Sequence, residues 1–179
     1  MLEPLSERQR ARLSEALATA DLLVRASTVQ LEEVDPTDPD ARTAVQHYFD
    51  ELDRRFESGF DPGPGDDPAS YRPPHGTFVV ARSDGDPVAC GGVQPLADGA
   101  AEIKRMWVHD EWRGAGLGAR MLRRLEDAAH AAGHDLVRLD TNSVLTEAIA
   151  MYERSGYRPI ERYNDNPYAK CWFEKALRP

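Results

Sequence analysis

The sequence predicts an α/β fold, a mixed sheet flanked by helices, with an extra helix at the N-terminus. Three observations carry this. Apolar residues recur at spacings of three and four in several segments, strand-like runs follow one another between Thr77 and Val108, and beyond Gly118 strands alternate with helical stretches. The 179 residues, 41% hydrophobic and 30% charged, suffice for one well-buried core with an appendage.

From Ser6 to Ala26, the residues Leu13, Ala16, Leu17, Ala20 and Val24 recur every three or four positions behind Ser6 and Glu7, which predicts an amphipathic helix. Its apolar stripe must be buried on the domain or on a second copy, and a homodimer is expected. Alternation in Thr28-Val29-Gln30-Leu31-Glu32-Glu33-Val34 predicts a strand, ended by Asp35-Pro36-Thr37-Asp38-Pro39. Asp38 or Asp40 then caps a helix carried by Val45, Tyr48, Phe49, Leu52 and Phe56. Ser58 to Gly76 is rich in proline and glycine and too long for a plain connector, which suits a closing lid.

Thr77 to Arg82 and Pro87 to Leu96 read as strands of a hairpin around Asp84-Gly85, and Ala101 to Val108 as the next strand after Asp98-Gly99. A glycine segment then opens a helix running to about Ala132. Leu136 to Asp140 reads as a strand and Thr146 to Ser155 as a helix, with further strands near Tyr157 to Tyr163 and Tyr168 to Lys175.

Composition narrows the function. Twenty-two basic against 31 acidic residues give a net charge of −9, and the basic ones are scattered, so no nucleic-acid partner is expected. Cys90 and Cys171 lie far apart and neither belongs to a CxxC, so no disulfide framework and no metal site are expected. Reduced thiols, an N-terminus without a basic or apolar leader, and no run of membrane-spanning length together suggest a cytoplasmic protein that meets no membrane.

The most informative stretch is Arg113-Gly114-Ala115-Gly116-Leu117-Gly118-Ala119. Glycines weaken helices, so three of them at the mouth of one mean that the backbone must approach something closely, often a phosphate. A P-loop needs Lys-Ser or Lys-Thr after its last glycine, and Ala119-Arg120 stands there instead. Gly114, Gly116 and Ala119 satisfy the dinucleotide pattern G-x-G-x-x-A, but that pattern follows the first strand almost directly, whereas several strands precede this one. A third reading takes the segment as Arg-x-x-Gly-x-Gly, an anion nest at a helix start.

In that third form the sequence resembles the GNAT superfamily of acyl-CoA-dependent N-acyltransferases. Two more stretches carry the resemblance in family order: Ala101-Glu102-Ile103-Lys104-Arg105-Met106-Trp107-Val108 and Ala148-Ile149-Ala150-Met151-Tyr152-Glu153-Arg154-Ser155-Gly156-Tyr157. The resemblance implies a mostly antiparallel central sheet, with residues 27–179 forming the catalytic domain and 1–26 an extension. It implies that acetyl-CoA is held by the backbone of Arg113, Gly114, Ala115, Gly116, Leu117, Gly118 and Ala119, with Met106, Trp107, Val108 and Tyr152 beside its reactive end. Tyr152 is then the acid for the departing thiolate and Glu102 the base for the amine, directly or through water. The plain alternatives are core packing for Tyr152 and a surface ion pair with Lys104 or Arg105 for Glu102.

The oxyanion donor is expected from backbone N–H near Val108, where a strand splays from its neighbour. Many family members carry asparagine where Leu145 stands here, which leaves Asn142 as the nearest substitute. Substrate recognition falls to the variable parts: Phe60, Tyr168, and whichever of Lys104 and Arg105 faces the cleft, strand alternation allowing one. The implied reaction is acetyl transfer to the primary amine of a small molecule, an amino acid, polyamine or aminoglycoside-like compound. A protein N-terminal or lysine acetyltransferase and a non-catalytic acyl-CoA sensor remain as alternatives.

Overall fold

A computed structural model of the chain describes residues 5–63 and 67–177. The helices are α1 (Glu7–Thr28), α2 (Pro39–Arg55), α3 (Leu117–Ala131) and α4 (Thr146–Arg154). The strands are β1 (Leu31–Val34), β2 (Thr77–Ser83), β3 (Asp86–Pro95), β4 (Ala101–Val108), β5 (Leu136–Thr141), β6 (Arg158–Ile160) and β7 (Cys171–Ala176). They form one sheet in the order β1-β2-β3-β4-β5-β7-β6. Every pairing is antiparallel except β4 with β5.

The side-chain alternation of a strand sets the layers. In β2, Phe78 and Val80 point to one side, where they join Ala41 and Ala44 of α2, Tyr71 and Trp107 in a small core. Val79 and Ala81 point to the other, into the main core with Leu117, Met121, Leu122 and Leu125 of α3. These four are all at most 1% exposed, and burial of each such side chain contributes roughly 1.5–3 kcal/mol. Small residues let the layers approach. A Cβ on Gly91 would lie 2.6 Å from Leu125 Cδ1, and one on Gly92 the same distance from Tyr71.

Two irregularities in β4 open the sheet at its centre. Cys90 pairs with Trp107 and Gly92 with Lys104, so Arg105 and Met106 stand together opposite Gly91 as a bulge. Arg105 takes the left-handed conformation there, with φ of 54°. On its other edge β4 pairs with β5 only at Ala101–Val137 and Glu102–Arg138. Beyond Glu102 the two strands part.

Several boundaries differ from the sequence reading. Helix α1 continues through Thr28, so β1 begins at Leu31 rather than Thr28. Its last turn is held by the Arg120 guanidinium, which donates to the Ala26 carbonyl and, at 2.8 Å, to that of Val29. Arg25 also lies over the Trp112 ring at 4.9 Å. β6 is shorter than expected, ending at Ile160, and the chain from there to Cys171 is a loop with its own role. The lid segment is partly structural: Pro68–Tyr71 forms a short 3-10 helix that sinks Tyr71 into the small core.

The stripe of α1 does not meet the domain. Every described residue from Leu5 to Asp21 is exposed, and only Ala26 of the helix is buried. Ala26 and the half-buried Leu22 lie on the face opposite Leu13, Leu17, Ala20 and Val24 at 100° per residue.

Candidate active site

A cavity of about 590 Å³ opens where β4 and β5 part. β4 lends it Glu102, Lys104, Arg105 and Met106; β5 lends Asp140, and α4 lends Tyr152. Its walls come from α2 with the loop after it, and from the loop between β6 and β7. Strand alternation admits only one of Lys104 and Arg105 to the cleft side, yet both line the cavity, because the bulge interrupts the alternation at Arg105.

The floor is a network of carboxylates and their donors. Glu102, 3% exposed, accepts from Gln94 Nε2 at 2.9 Å on one oxygen, and from Tyr163 hydroxyl at 2.8 Å and Asn164 Nδ2 at 3.1 Å on the other. Asp140 accepts from Asn166 Nδ2 at 2.9 Å and also from Asn164 Nδ2. Lys104 Nζ stands between the two acids, 3.6 Å from Glu102 and 4.0 Å from Asp140. These donors are what permit two carboxylates at such burial.

Tyr152 is 6% exposed, its ring 5.8 Å from that of Tyr157 and 6.1 Å from Phe173, while its phenol enters none of the hydrogen bonds among the described residues. Burial, and then the negative charge of Asp140, push its pKa well above the ordinary tyrosine value. Tyr152 therefore stays a protonated donor across the neutral range. Tyr48 on α2 also lines the cavity and is raised in the same direction, by burial first and then by Tyr152 and Asp140.

Beyond β4 the chain forms the glycine loop. Gly114 and Gly116 have φ of 80° and 82°, and a Cβ on either would meet nothing within 4 Å. The backbone there needs glycine for its conformation, and it borders open space. Gly116 is the N-cap of α3, without a side-chain cap, and the first intrahelical bond runs from Arg120 N–H to its carbonyl at 3.1 Å. The N–H groups of Leu117, Gly118 and Ala119 thus have no helical partner, and with the helix dipole they make a site that fits a phosphate. Gly118 serves differently: a Cβ there would lie 3.1 Å from Met151 Sδ, so its smallness lets α4 approach.

The other residues singled out in the sequence divide between the cavity and the packing around it. Arg113 folds back, its guanidinium donating to the Val108 carbonyl at 2.9 Å and 3.0 Å and to Glu51 at 2.5 Å, which leaves its backbone on the loop. Trp107 turns into the small core and donates to the same Glu51 at 2.9 Å. Met106 faces the cavity. Phe60 and Tyr168, far apart in sequence, have ring centroids 4.8 Å apart across it. Asn142 lines the cavity but spends its side chain on the Tyr168 carbonyl at 2.7 Å and the Val144 N–H at 3.1 Å.

Sequence reasoning missed Asp140, Tyr163, Asn164 and Asn166 as a unit, and Glu51 as the tie between α2 and the glycine loop. Only the odd Asn164-Asp165-Asn166-Pro167-Tyr168 composition hinted at the first group.

Comparison with known proteins gives the family and the fold. Residues 43–157 match the model of the acetyltransferase (GNAT) family. The chain is 32% identical over 132 residues to an uncharacterised N-acetyltransferase of Schizosaccharomyces pombe, spanning 72% of this chain and 80% of the relative. An IAA acetyltransferase of Azospirillum brasilense is 36% identical over 104 residues, 56% of this chain and 67% of the relative. A crystal structure of a GNAT-family acetyltransferase from Staphylococcus aureus shares the fold, with a TM-score of 0.72 at 16% identity over 84% of this chain and all (100%) of that one.

Proposed function

Because the chain belongs to the GNAT acetyltransferase family and is an acyltransferase, we propose that it moves the acetyl group of acetyl-CoA directly to a primary amine of a small molecule. The observation that carries the acceptor class is the contact between the two loops that wall the cavity. The loop after α2 and the β6–β7 loop meet at its wall, where Asp61 N–H donates to the Tyr168 hydroxyl at 2.8 Å and Phe60 packs on the same ring. A cavity of about 590 Å³ narrowed by two loops suits a compact molecule better than a protein chain, which wants a longer open groove. The name of the Azospirillum relative, an IAA acetyltransferase, agrees with small acceptors.

The donor supplies a thioester carbonyl and a thiolate leaving group; the rest is the work of this chain. Amides of Leu117 to Ala119 hold the pyrophosphate, and the edge of β4 freed beyond Glu102 offers backbone N–H to the thioester oxygen. An amine attacks only when neutral, so its proton passes to Glu102, directly or through water. The carbon–nitrogen bond forms, the carbon–sulfur bond breaks, and Tyr152 hands its proton to sulfur. The two free cysteines fit the reducing cytoplasm, where acetyl-CoA is made and used.

The test is an acceptor screen that follows free thiol release from acetyl-CoA. At least one small primary amine should release thiol, and acetyl-CoA should raise the melting temperature well above the effect of NAD or ATP. Turnover on peptides alone would return the protein-modifying reading. Coenzyme binding without turnover on any amine would return the sensor.

The N-terminal helix supports an assembly as well. An isolated helix this exposed is marginal, and its stripe of Leu13, Leu17 (60% exposed), Ala20 and Val24 (64% exposed) faces away from the domain. The expected result by light scattering is twice the 20.0 kDa chain mass, falling to one chain mass in Leu17→Glu. A native monomer would end the idea.

A further inference from the structure

The cavity joins two unlike surfaces, and if the chain transfers acetyl groups as proposed, the pairing selects among amines. The first surface is aromatic. Phe49 of α2, Phe56 and Phe60 after it, and Tyr168 from the β6–β7 loop form a continuous wall with ring centroids 4.8 to 6.0 Å apart. All four are only half-buried. Rings gathered from α2 and two separate loops and left half-exposed offer faces that a flat apolar group can cover.

The second surface is the floor. Glu102 and Asp140 bring two negative charges at side-chain exposures of 4% and 10%, and Lys104 returns one positive charge between them. One more ammonium brings the floor to neutrality. A carboxylate there meets both acids at close range in a low dielectric. Lys104 cannot receive it freely, since it already stands within 4.0 Å of each. Arg105 does not change this balance, because its guanidinium lies over the rings of Phe49 at 5.9 Å and Tyr71 at 5.2 Å, on the wall rather than the floor.

The reacting nitrogen has to lie where β4 and β5 part, beside Tyr152, and therefore on this floor. We propose that the acceptor is a small primary amine with an aromatic body and no carboxylate beside its nitrogen, a compound of the 2-arylethylamine kind. The ammonium arrives between Glu102 and Asp140, and the ring lies along Phe60 and Tyr168. An α-amino acid fails at the floor, since its carboxylate is fixed two bonds from the nitrogen. A polyamine or aminoglycoside brings no flat apolar ring to the wall and leaves those faces uncovered.

The test compares kcat/KM for 2-phenylethylamine, phenylalanine, spermidine and n-hexylamine on the full chain with acetyl-CoA. Their binding to the chain saturated with coenzyme A is read in parallel by calorimetry. The aromatic amine should lead phenylalanine and spermidine by about tenfold or more in both readouts, and hexylamine by less. Phe60→Leu and Tyr168→Leu, two variants on different loops, should each shrink its lead over hexylamine. Phenylalanine or spermidine binding as well as 2-phenylethylamine overturns the proposal, and so does an aromatic amine that does not bind. Tight binding of the aromatic amine with no thiol released leaves the acceptor class standing and overturns acetyl transfer instead, so the two failures are told apart.

Discussion

Tyr152→Phe is expected to slow acetyl transfer by about 10²–10⁴-fold, the usual worth of a positioned acid, while leaving acetyl-CoA affinity near that of the parent. The substitution removes one hydroxyl and keeps the ring, whose neighbours Tyr157 and Phe173 lie 5.8 and 6.1 Å away, so packing should survive. Its effect belongs in kcat rather than in coenzyme binding, because proton donation matters only as the carbon–sulfur bond breaks. The sign of the pH dependence comes from the raised pKa. Burial and Asp140 favour the neutral phenol, so Tyr152 loses its proton only above the ordinary tyrosine range, and the rate should not fall between pH 6 and 9 on its account.

Glu102→Gln gives the contrasting pH response. As base it should matter most near neutral pH, where little of the amine is free of its proton, and less at high pH. The structure adds a second cost, because glutamine brings an amide where Tyr163, Asn164 and Gln94 all donate. Stopped-flow or steady-state thiol release from pH 6 to 9 checks both variants. Parent rates for both across that range, with coenzyme still bound, would leave positioning alone as the source of the acceleration.

How far the sequence announced this site depends on whether a residue's role is local. The glycine loop was legible because left-handed backbone at Gly114 and Gly116 leaves a mark in the residue type itself. Tyr152 and Glu102 were named only through the family resemblance of the stretches that hold them. The hairpin at Asp84-Gly85 was legible for the same local reason. By contrast, the bulge that brings both Lys104 and Arg105 to the cavity is hidden, since its left-handed residue is an arginine. The Asp140 network spans β5 and a loop more than 20 positions later, and the bond from Glu51 to Arg113 spans 62, so no local pattern reports them. Phe49 and Phe56 read as ordinary core periodicity on a helix, although in the fold they line the cavity. The stripe of α1 was legible as apolar, yet a pattern of threes and fours says only that a face seeks cover, not that the domain supplies it.

Gly116→Val is expected to abolish the melting-temperature rise produced by acetyl-CoA. Ligand at a hundred times its dissociation constant stabilises the folded state by about 2.7 kcal/mol, and that shift should disappear. Two effects act together. A β-branched residue at φ of 82° is strained by roughly 1–3 kcal/mol, so the loop must turn to relieve it and carry the amides of Leu117, Gly118 and Ala119 off their common focus. Its branches also enter the space in front of those amides, where a Cβ meets no protein atom within 4 Å. That open surround is why the domain itself should still fold, with a modest fall in its own melting temperature. Gly116→Ala separates the causes: it keeps most of the backbone strain with far less bulk, and should retain part of the shift. Fluorimetric melting of the three proteins with and without acetyl-CoA makes the measurement, with NAD as the control. An undiminished shift in the valine variant, or equal protection by NAD, would move the phosphate site away from the mouth of α3 or return the dinucleotide reading of the same glycines.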